Sequence, residues 1–289
     1  MNDLAAPLQS TVNLEDQLQA LAQVFGDEYA NEVNDPVMFR QHSFQSPAVK
    51  QFYRREFPLI SRTLFVESVY RRRPMYNQGV LDAFSAIAAK KLGDILQMLT
   101  MQCARLEKIC KTNGHITDAV YLHAEVKLVP IIASHANTYI KCLTKLDQLY
   151  QLSGSATLNG VIDGNQRREV ELLCRKAVRA FSALLRNEIH KLRKESKRMQ
   201  QASGQKDQEV DKAESAQESA IETFDKEVRE QDMMDPGAAV SPEGAAAAID
   251  ALAATTAATA GGKAPRKRKD TPEGAEQVPA AAAADAAAA

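Results

Sequence analysis

Apolar residues recur every three or four positions through most of the first 200 residues, and this spacing constrains the fold more than any other feature. The clearest stretch runs from Val80 to Ile109, where a bulky apolar side chain returns once per helical turn. Such a period places these side chains on one face of an α-helix, which other elements must then cover. Asn113 and Gly114 follow as a helix C-cap. The chain is therefore predicted to be mainly α, a helical bundle.

The same period predicts helices over Leu14–Phe25, on both sides of Pro58, from Ser134 to about Tyr150, and from Asp163 to about Gln200. Pro58 is expected to kink or break its helix, because proline lacks the N–H and its ring crowds the preceding turn. The run from Ser153 to Ser155 is expected to end the helix that begins at Ser134. Asp163 and Gln166 have the spacing of a capping box.

One short strand is predicted between Leu122 and Pro130, where the period changes from about 3.6 to 2. We expect His123, Glu125 and Lys127 on the open face and Ala124, Val126 and Leu128 packed underneath. Pro130 cannot donate a ladder hydrogen bond, so pairing is expected to stop there. A lone strand is unstable, and its partner comes either from this chain or from a second copy.

Composition divides the chain into a folded part and a tail. Large apolar residues become rare after about residue 205, and the last 55 positions are mostly Ala, Pro and Gly, too little apolar area to offset the entropy of ordering. The predicted organisation is a flexible N-terminus (1–13), a helical domain (14–205, with subregions 14–114 and 120–200), an acidic, solvated helical linker (206–234) and a disordered tail (235–289).

Known active-site signatures are missing from the sequence. There is no Walker-type loop, no GxGxxG after a strand, no GxSxG elbow, and no HExxH or CxxC pair. The spacing of His115, His123 and His135 fits no zinc pattern. We therefore predict that the protein is not an enzyme, with no catalytic residue, no bound metal and no cofactor.

The sequence also favours a cytoplasmic location. The N-terminus lacks the apolar stretch of a secretion signal, and no window reaches the roughly 20 apolar residues that span a bilayer. Without secretion the four cysteines should stay reduced, as small apolar core residues of helices: Cys103, Cys110, Cys142 and Cys174. We expect a soluble cytoplasmic protein with no membrane partner.

Charge is divided unevenly along the chain. Residues 1–200 hold 27 Lys and Arg against 20 Asp and Glu, whereas residues 201–289 hold 9 against 17. Residues 166–200 alone, with 11 basic and 4 acidic side chains, supply the whole positive excess of the first part. This asymmetry is typical of a body that faces nucleic acid beside an acidic tail, and equally of a solvated basic helix.

The basic helix provides the candidate DNA contacts. Arg168, Arg175, Arg179 and Arg186 recur at helical spacing and are predicted to line one face, opposite Phe181 and Leu184. A row of arginines can neutralise successive phosphates, which gives salt-sensitive affinity for any duplex sequence. The candidate DNA-binding residues on this helix are Arg167, Arg168, Arg175 and Arg179. The alternative is that these arginines only keep the helix solvated.

The run LVPIIASHANTYIKCLTKLDQLYQLSGSATLNGVIDGNQRR, from Leu128 to Arg168, combines a strand, a helix with a Leu-Asp-x-Leu core, a Gly-Val-Ile turn and a Gln-Arg-Arg helix start. In this order the features resemble AcaB-like proteins, which are encoded on conjugative plasmids and integrative elements. The resemblance covers about residues 120–200. It implies a dimeric DNA-binding transcriptional regulator of ribbon-helix-helix type.

In such a dimer one strand from each subunit enters the major groove, and Lys127 would reach base edges. The sequence departs from that fold in two respects. Pro130 shortens the strand that could pair, and the helices that follow are longer than the compact pair of a ribbon-helix-helix protein. The first hundred residues have no counterpart in it.

The sequence thus predicts a DNA-associated accessory or transcriptional-regulatory protein of a bacterial mobile genetic element, with duplex DNA and a second copy of the chain as partners. The alternative from another class is a non-catalytic helical scaffold that binds another protein. An enzyme whose site has no recognisable motif is the third reading. Salt-sensitive binding to arbitrary duplex, capture of one protein partner, and a deep pocket with shifted titratable groups distinguish the three.

Overall fold

The computed structural model describes residues 13–27, 30, 35–74, 76–115, 117, 119–203 and 208–234. Within them the chain forms one two-stranded antiparallel sheet, made of β1 (Met38–Phe44) and β2 (Glu125–Ile131). Its long helices are α1 (Leu14–Phe25), α2 (Pro47–Arg71), α3 (Gln78–Thr112), α4 (Ser134–Leu158), α5 (Gly164–Ser203) and α6 (Gln208–Met234). The prediction of a mainly helical bundle is confirmed. The predicted disordered tail and nearly all of the predicted flexible N-terminus lie outside the described residues.

Helix α2 is the centre of the bundle and packs against each of the other five long helices. Its buried apolar side chains point in all directions, as expected for a core helix, and include Val49, Phe52, Phe57, Ile60, Leu64, Val66 and Val69. At its start the Ser46 side chain accepts a hydrogen bond from Val49 N. The buried carboxylate of Asp147 on α4 accepts from Gln45 N at 2.9 Å and from Ser46 N at 2.7 Å. This carboxylate interacts favourably with the positive end of the α2 dipole and connects α4 to the beginning of α2.

Of the two outcomes predicted at Pro58, a kink or a break, the break does not occur, because α2 continues through it. An interior proline removes one hydrogen bond and costs about 3 kcal/mol. The residues on both sides of it, Phe57, Leu59 and Ile60, are at most 1% exposed. Their packing requires helical geometry and outweighs the local cost.

The predicted end of α4 at Ser153–Ser155 is also wrong, because the helix continues to Leu158. Ser153 and Ser155 are buried, and their hydroxyl groups are satisfied. Ser153 Oγ lies 3.1 Å from Tyr150 O and 2.7 Å from Glu171 Oε1, either of which can accept its one proton, and Ser155 Oγ accepts from Ala119 N at 2.8 Å. Small polar side chains let neighbouring chain segments approach α4 closely, so they serve packing here and do not end the helix.

The helix ends predicted from local capping residues are present in the structure. Gly26 and Gly114 follow α1 and α3 with positive φ angles of 95° and 72°, which glycine adopts without strain. Asp163 and Gln166 form the predicted reciprocal pair at the start of α5, with Gln166 N donating to Asp163 Oδ1 and Asp163 N donating to Gln166 Oε1.

The predicted strand, β2, pairs with another strand of the same chain. β1 pairs with β2 in antiparallel register, from Met38 opposite Ile131 to Phe44 opposite Glu125. The sequence of β1, MFRQHSF, has no clear alternation of apolar and polar residues, so its pattern does not predict a strand. Pro130 lies within the ladder opposite Phe39, so the expectation that pairing stops at this proline is wrong. Each strand here has an outer edge, and proline is tolerated on edge strands.

The faces of β2 are the reverse of the prediction. Val129 and Ile131 are buried, and Glu125 and Lys127 lie on their side of the strand, whereas Val126 is 64% exposed. Side chains alternate along a strand, so the residues that enter the core fix the face of all the others. Val129 and Ile131 enter the core and therefore fix the face of Lys127. The prediction that Lys127 lies on the open face is wrong.

Helix α6 packs along α2. Its buried side chains recur at helical spacing and comprise Val210, Ala213, Glu214, Gln217, Ala220 and Phe224. The expectation of a solvated helix over this segment is wrong. Small and polar residues form its contact face, so counting bulky apolar residues could not reveal the packing.

All four cysteines are buried free thiols. Burial raises the pKa of Cys103 to about 11 and those of Cys142 and Cys174 to about 12, which keeps these thiols protonated and unreactive. None of the helices in the described part of the chain is both long and apolar enough to cross a membrane.

Candidate nucleic-acid interface

Helix α5 presents its apolar face to α2, α3 and α4. The residues that enter the core are Cys174, Ala177, Val178, Phe181, Leu185, Ile189 and Leu192. The predicted stripe contained Ala177, Phe181 and Leu192 correctly, but Leu173 and Leu184 are only partly buried. The true stripe is rotated slightly from the prediction, and this rotation changes where the arginines lie.

Arg167 and Arg168 begin the helix and differ in their surroundings. Arg167 Nε donates to Glu171 Oε1 at 2.7 Å, and Ser153 Oγ lies 2.7 Å from the same oxygen. This fixes Arg167 against the end of α4. Arg168 is exposed to solvent. Of these two candidate contacts, Arg168 is the more accessible to a phosphate.

Arg175 and Arg179 lie at the edge of the core and are partly buried. The guanidinium carbon of Arg179 is 5.7 Å from the centre of the Phe52 ring on α2, within the range of a cation–π interaction. Arg175 lies one helical turn before Arg179 on the same flank of α5. The sequence had predicted both arginines opposite the apolar stripe, but their partial burial places them beside it.

Arg186 is covered by α6. Its guanidinium forms an ion pair with Asp225 and lies 4.9 Å from the centre of the Phe224 ring. The predicted row of four arginines is therefore divided among solvent, the flank of α2 and the contact with α6. The four arginines follow one stripe of α5, as their spacing predicted, but neighbouring elements cover part of that stripe.

A second group of cations lies where α2 begins, beside β2. Arg54 Nη2 is 3.0 Å from Glu125 Oε2, and Lys127 Nζ is 2.8 Å from Glu125 Oε1. The hydrogen bonds from Lys127 and Arg54 lower the pKa of Glu125. Lys50, one turn before Arg54, donates to the backbone oxygen of His123. Arg54 keeps 64% of its side chain exposed despite the ion pair.

These contacts place basic side chains of three elements along the first half of α2. We name this region the basic surface, formed by Lys50, Arg54, Arg55, Lys127 and Arg179. The ribbon lies on one side of α2 and α5 on another, with the Phe52 ring beneath Arg179. Arg54 and Arg55 are not among the DNA-binding residues predicted from the sequence. The missed signal was Lys50 and Arg54 at i and i+4, a pair whose importance depends on what the helix packs against.

Below this surface lies a buried carboxylate. Glu56 is 2% exposed, and its Oε2 accepts hydrogen bonds from Ser182 Oγ at 2.6 Å and from Tyr139 OH at 3.2 Å. Burial raises the pKa of Glu56, although the nearby Arg179 and Arg55 act in the opposite direction. Glu56 therefore orients α2, α4 and α5 relative to one another while adding little accessible negative charge.

No three His, Cys, Asp or Glu side chains in the described part of the chain lie close enough to share a metal ion. An open groove between α5 and α6 is lined by His190, Arg193, Lys194, Lys197, Glu218, Ile221 and Glu222. Its lining combines basic side chains of α5 with two carboxylates of α6.

Comparison with known proteins gives one structural likeness. No family model and no curated protein sequence matches the chain. The crystal structure of selenomethionine-containing AcaB from uropathogenic E. coli superposes with a TM-score of 0.53 at 20% identity. The match covers 63% of this chain and 100% of that chain. At this identity the likeness shows a shared fold.

Proposed function

We propose that the protein is a DNA-associated accessory or transcriptional-regulatory protein of a bacterial mobile genetic element, and that duplex DNA binds at the basic surface. The observation that carries the proposal is the convergence of cations from α2, β2 and α5 on one region. The accessible acid among them, Glu125, is already shared by Arg54 and Lys127. The structural likeness to AcaB supports the resemblance found in the sequence.

The chemistry of this surface fits the sugar-phosphate backbone better than base edges. Arginine and lysine neutralise phosphates and release counterions, which provides affinity for any duplex. Of the candidate contacts named from sequence, Arg168, Arg175 and Arg179 remain in the proposal as phosphate contacts. Lys127 and Arg167 have carboxylate partners and would have to exchange them for phosphates.

The test is binding of the purified full chain to a duplex of arbitrary sequence, followed by fluorescence anisotropy over a series of salt concentrations. We expect affinity to fall steeply as salt rises. Replacing Lys50 and Arg54 of the basic surface, together with the proposed phosphate contact Arg168, by Gln should weaken binding and reduce the slope of log K against log salt by up to about 2.7, roughly 0.9 per phosphate contact.

A matched control variant removes three positive charges from α3. Arg105, Lys108 and Lys111 are exposed on α3, away from the basic surface, and their triple replacement by Gln should leave the slope nearly unchanged. Equal effects of the two triple variants would show that only net charge matters. Absence of duplex binding by the wild-type chain at low salt would contradict the proposal.

A second candidate function is a scaffold that binds another protein. Exposed apolar side chains precede and enter β2, with Leu122 92% and Val126 64% exposed, and they would form its contact surface. The same surface could serve a homodimer, the oligomeric state predicted from the resemblance. Sedimentation of wild-type protein and of the Leu122→Ser, Val126→Ser variant distinguishes these cases, since a dimer held there would dissociate.

A further inference from the structure

Helix α6 runs antiparallel along α5, and side-chain contacts follow the two helices in opposite directions. Arg186 contacts Asp225, Arg193 contacts Glu218, and Ser196 contacts Glu214. We divide α6 into a proximal half, residues 208–217, and a distal half, residues 218–226. The two halves are attached to the bundle in different ways.

The proximal half is held by buried polar contacts and by the main core. Tyr70 OH donates to Glu214 Oε1 at 2.5 Å, and Gln217 Nε2 donates to Thr63 Oγ1 at 2.8 Å. Arg62 Nη1 donates to the backbone oxygen of Ala216. Val210 belongs to the main apolar cluster. A segment with such contacts separates only when the fold opens.

The distal half is held by exposed charges and a small apolar cluster. Leu59, Ala220 and Phe224 form this cluster with partly buried Ile221, separately from the main core. Glu218 and Asp225 keep 56% and 43% of their side chains exposed. Exposed ion pairs contribute little to stability, and salt weakens them further.

The groups beneath the distal half are cations next to the basic surface. Arg55 belongs to that surface, and its guanidinium carbon is 5.9 Å from the centre of the Phe224 ring. The guanidinium carbon of Arg186 lies 4.9 Å from the centre of the same ring. Asp225 thus occupies the Arg186 guanidinium, which could otherwise extend the basic surface along α5, whereas Arg193 is 8% exposed and also donates to Glu214 O.

We propose that the distal half of α6 is an acidic strap that competes with DNA phosphates for Arg186, and so limits the affinity of the basic surface. This inference rests on the proposed function and assigns a regulation to the same site. The Asp225 carboxylate of the strap imitates a phosphate on the Arg186 guanidinium. DNA binding displaces the strap, while the proximal half keeps α6 attached to the bundle.

The experiment compares full-length proteins in the same anisotropy assay. The strap variant carries Glu218→Gln, Glu222→Gln and Asp225→Asn, all at partly or fully exposed positions. It should bind duplex roughly tenfold more tightly at low salt, with a salt slope steeper by about 0.9, because one more arginine reaches a phosphate.

The control variant carries Glu15→Gln, Asp16→Asn and Asp94→Asn, which change the net charge equally on α1 and α3. Its slope should match that of the wild-type chain. If the strap variant behaves like this control while the wild-type chain binds, the strap is overturned and the proposed function stands. If the strap variant binds and the wild-type chain does not, DNA binding by the intact chain fails and the strap stands. Failure of every variant to bind overturns both.

Hydrogen exchange provides a second readout on the wild-type chain. Addition of saturating duplex should accelerate exchange at residues 218–226 and leave residues 208–217 protected, because only the distal contacts are exchanged for phosphates. Equal protection of both halves with and without duplex would contradict displacement of the strap.

Discussion

The buried polar layer around α2 and the basic surface are both built from polar and charged side chains, but these side chains differ in how they are satisfied. In the buried layer, Glu56, Glu214 and Gln217 each have dedicated hydrogen-bond partners on another helix. On the basic surface, Arg54 and Lys127 share one carboxylate and remain partly exposed. Removal of a buried partner leaves an unsatisfied group, whereas water replaces an exposed one. We therefore expect stability to depend on the buried layer and DNA affinity on the surface.

The largest expected effect comes from removing one side of the buried layer. A chain ending at Ser203 lacks α6 and should lose on the order of 4 kcal/mol or more of unfolding free energy, because apolar burial is lost and Arg62, Thr63 and Tyr70 lose their partners. A chain ending at Met234 keeps α6 and should melt like the full chain, since residues 235–289 hold few bulky apolar side chains. Thermal unfolding of the three chains checks this. Equal melting of the two truncated chains would contradict the packing of α6.

A smaller effect separates two glutamates one turn apart on α6. Glu214→Ala leaves the buried hydroxyl groups of Tyr70 and Ser196 without their acceptor and should cost about 2–4 kcal/mol. Glu218→Ala removes an exposed carboxylate and should cost less than about 1 kcal/mol. Urea denaturation of both variants measures the difference. Similar losses would show that the ion pair of Glu218 with Arg193 is as important as the buried contacts.

Replacement of Glu56 should increase the unfolding free energy, unlike the replacements above, and the size of the increase should depend on pH. Because burial raises its pKa in the folded protein, the folded state keeps this proton to a higher pH than the unfolded chain. Its contribution to stability is complete below the ordinary glutamate value and is lost as pH rises through the folded pKa.

Glu56→Gln keeps an oxygen that accepts from Ser182 and Tyr139 and removes the buried charge. It should add about 1 kcal/mol of unfolding free energy at pH 7, with a smaller gain near pH 4. Unfolding free energies at the two pH values test this. Loss of stability at pH 7 would mean that attraction by Arg55 and Arg179 exceeds the cost of burial.

The smallest effect is expected on the basic surface. Arg54→Gln, at a position that keeps 64% of its side chain exposed, should change the unfolding free energy by no more than about 0.5 kcal/mol while reducing duplex affinity. Denaturation and anisotropy on one preparation make the comparison. A loss of stability as large as that of Glu214→Ala would remove the distinction between the two regions.

The sequence by itself determined those features whose causes lie within one or two helical turns. The helical periods, the positive-φ glycines after α1 and α3, and the Asp163–Gln166 capping pair all follow from nearest-neighbour sterics and hydrogen bonds. The strand character of residues 125–131 also followed from its local alternation. Counting Lys and Arg along the sequence also identified α5 as strongly basic, and α5 contributes part of the candidate surface.

Tertiary structure alone decided how those elements use their side chains. The partner of β2, the face of Lys127, the continuity of α2 through Pro58 and the packing of α6 all depend on contacts between residues far apart in the chain. Arg54 reaches Glu125 across 71 positions, and Gln217 reaches Thr63 across 154. Packing energies from such contacts exceed local preferences of a few kcal/mol, and a periodic pattern does not specify which distant residues supply them. For the same reason the sequence could count the arginines of α5 but could not divide them among solvent, α2 and the acidic strap.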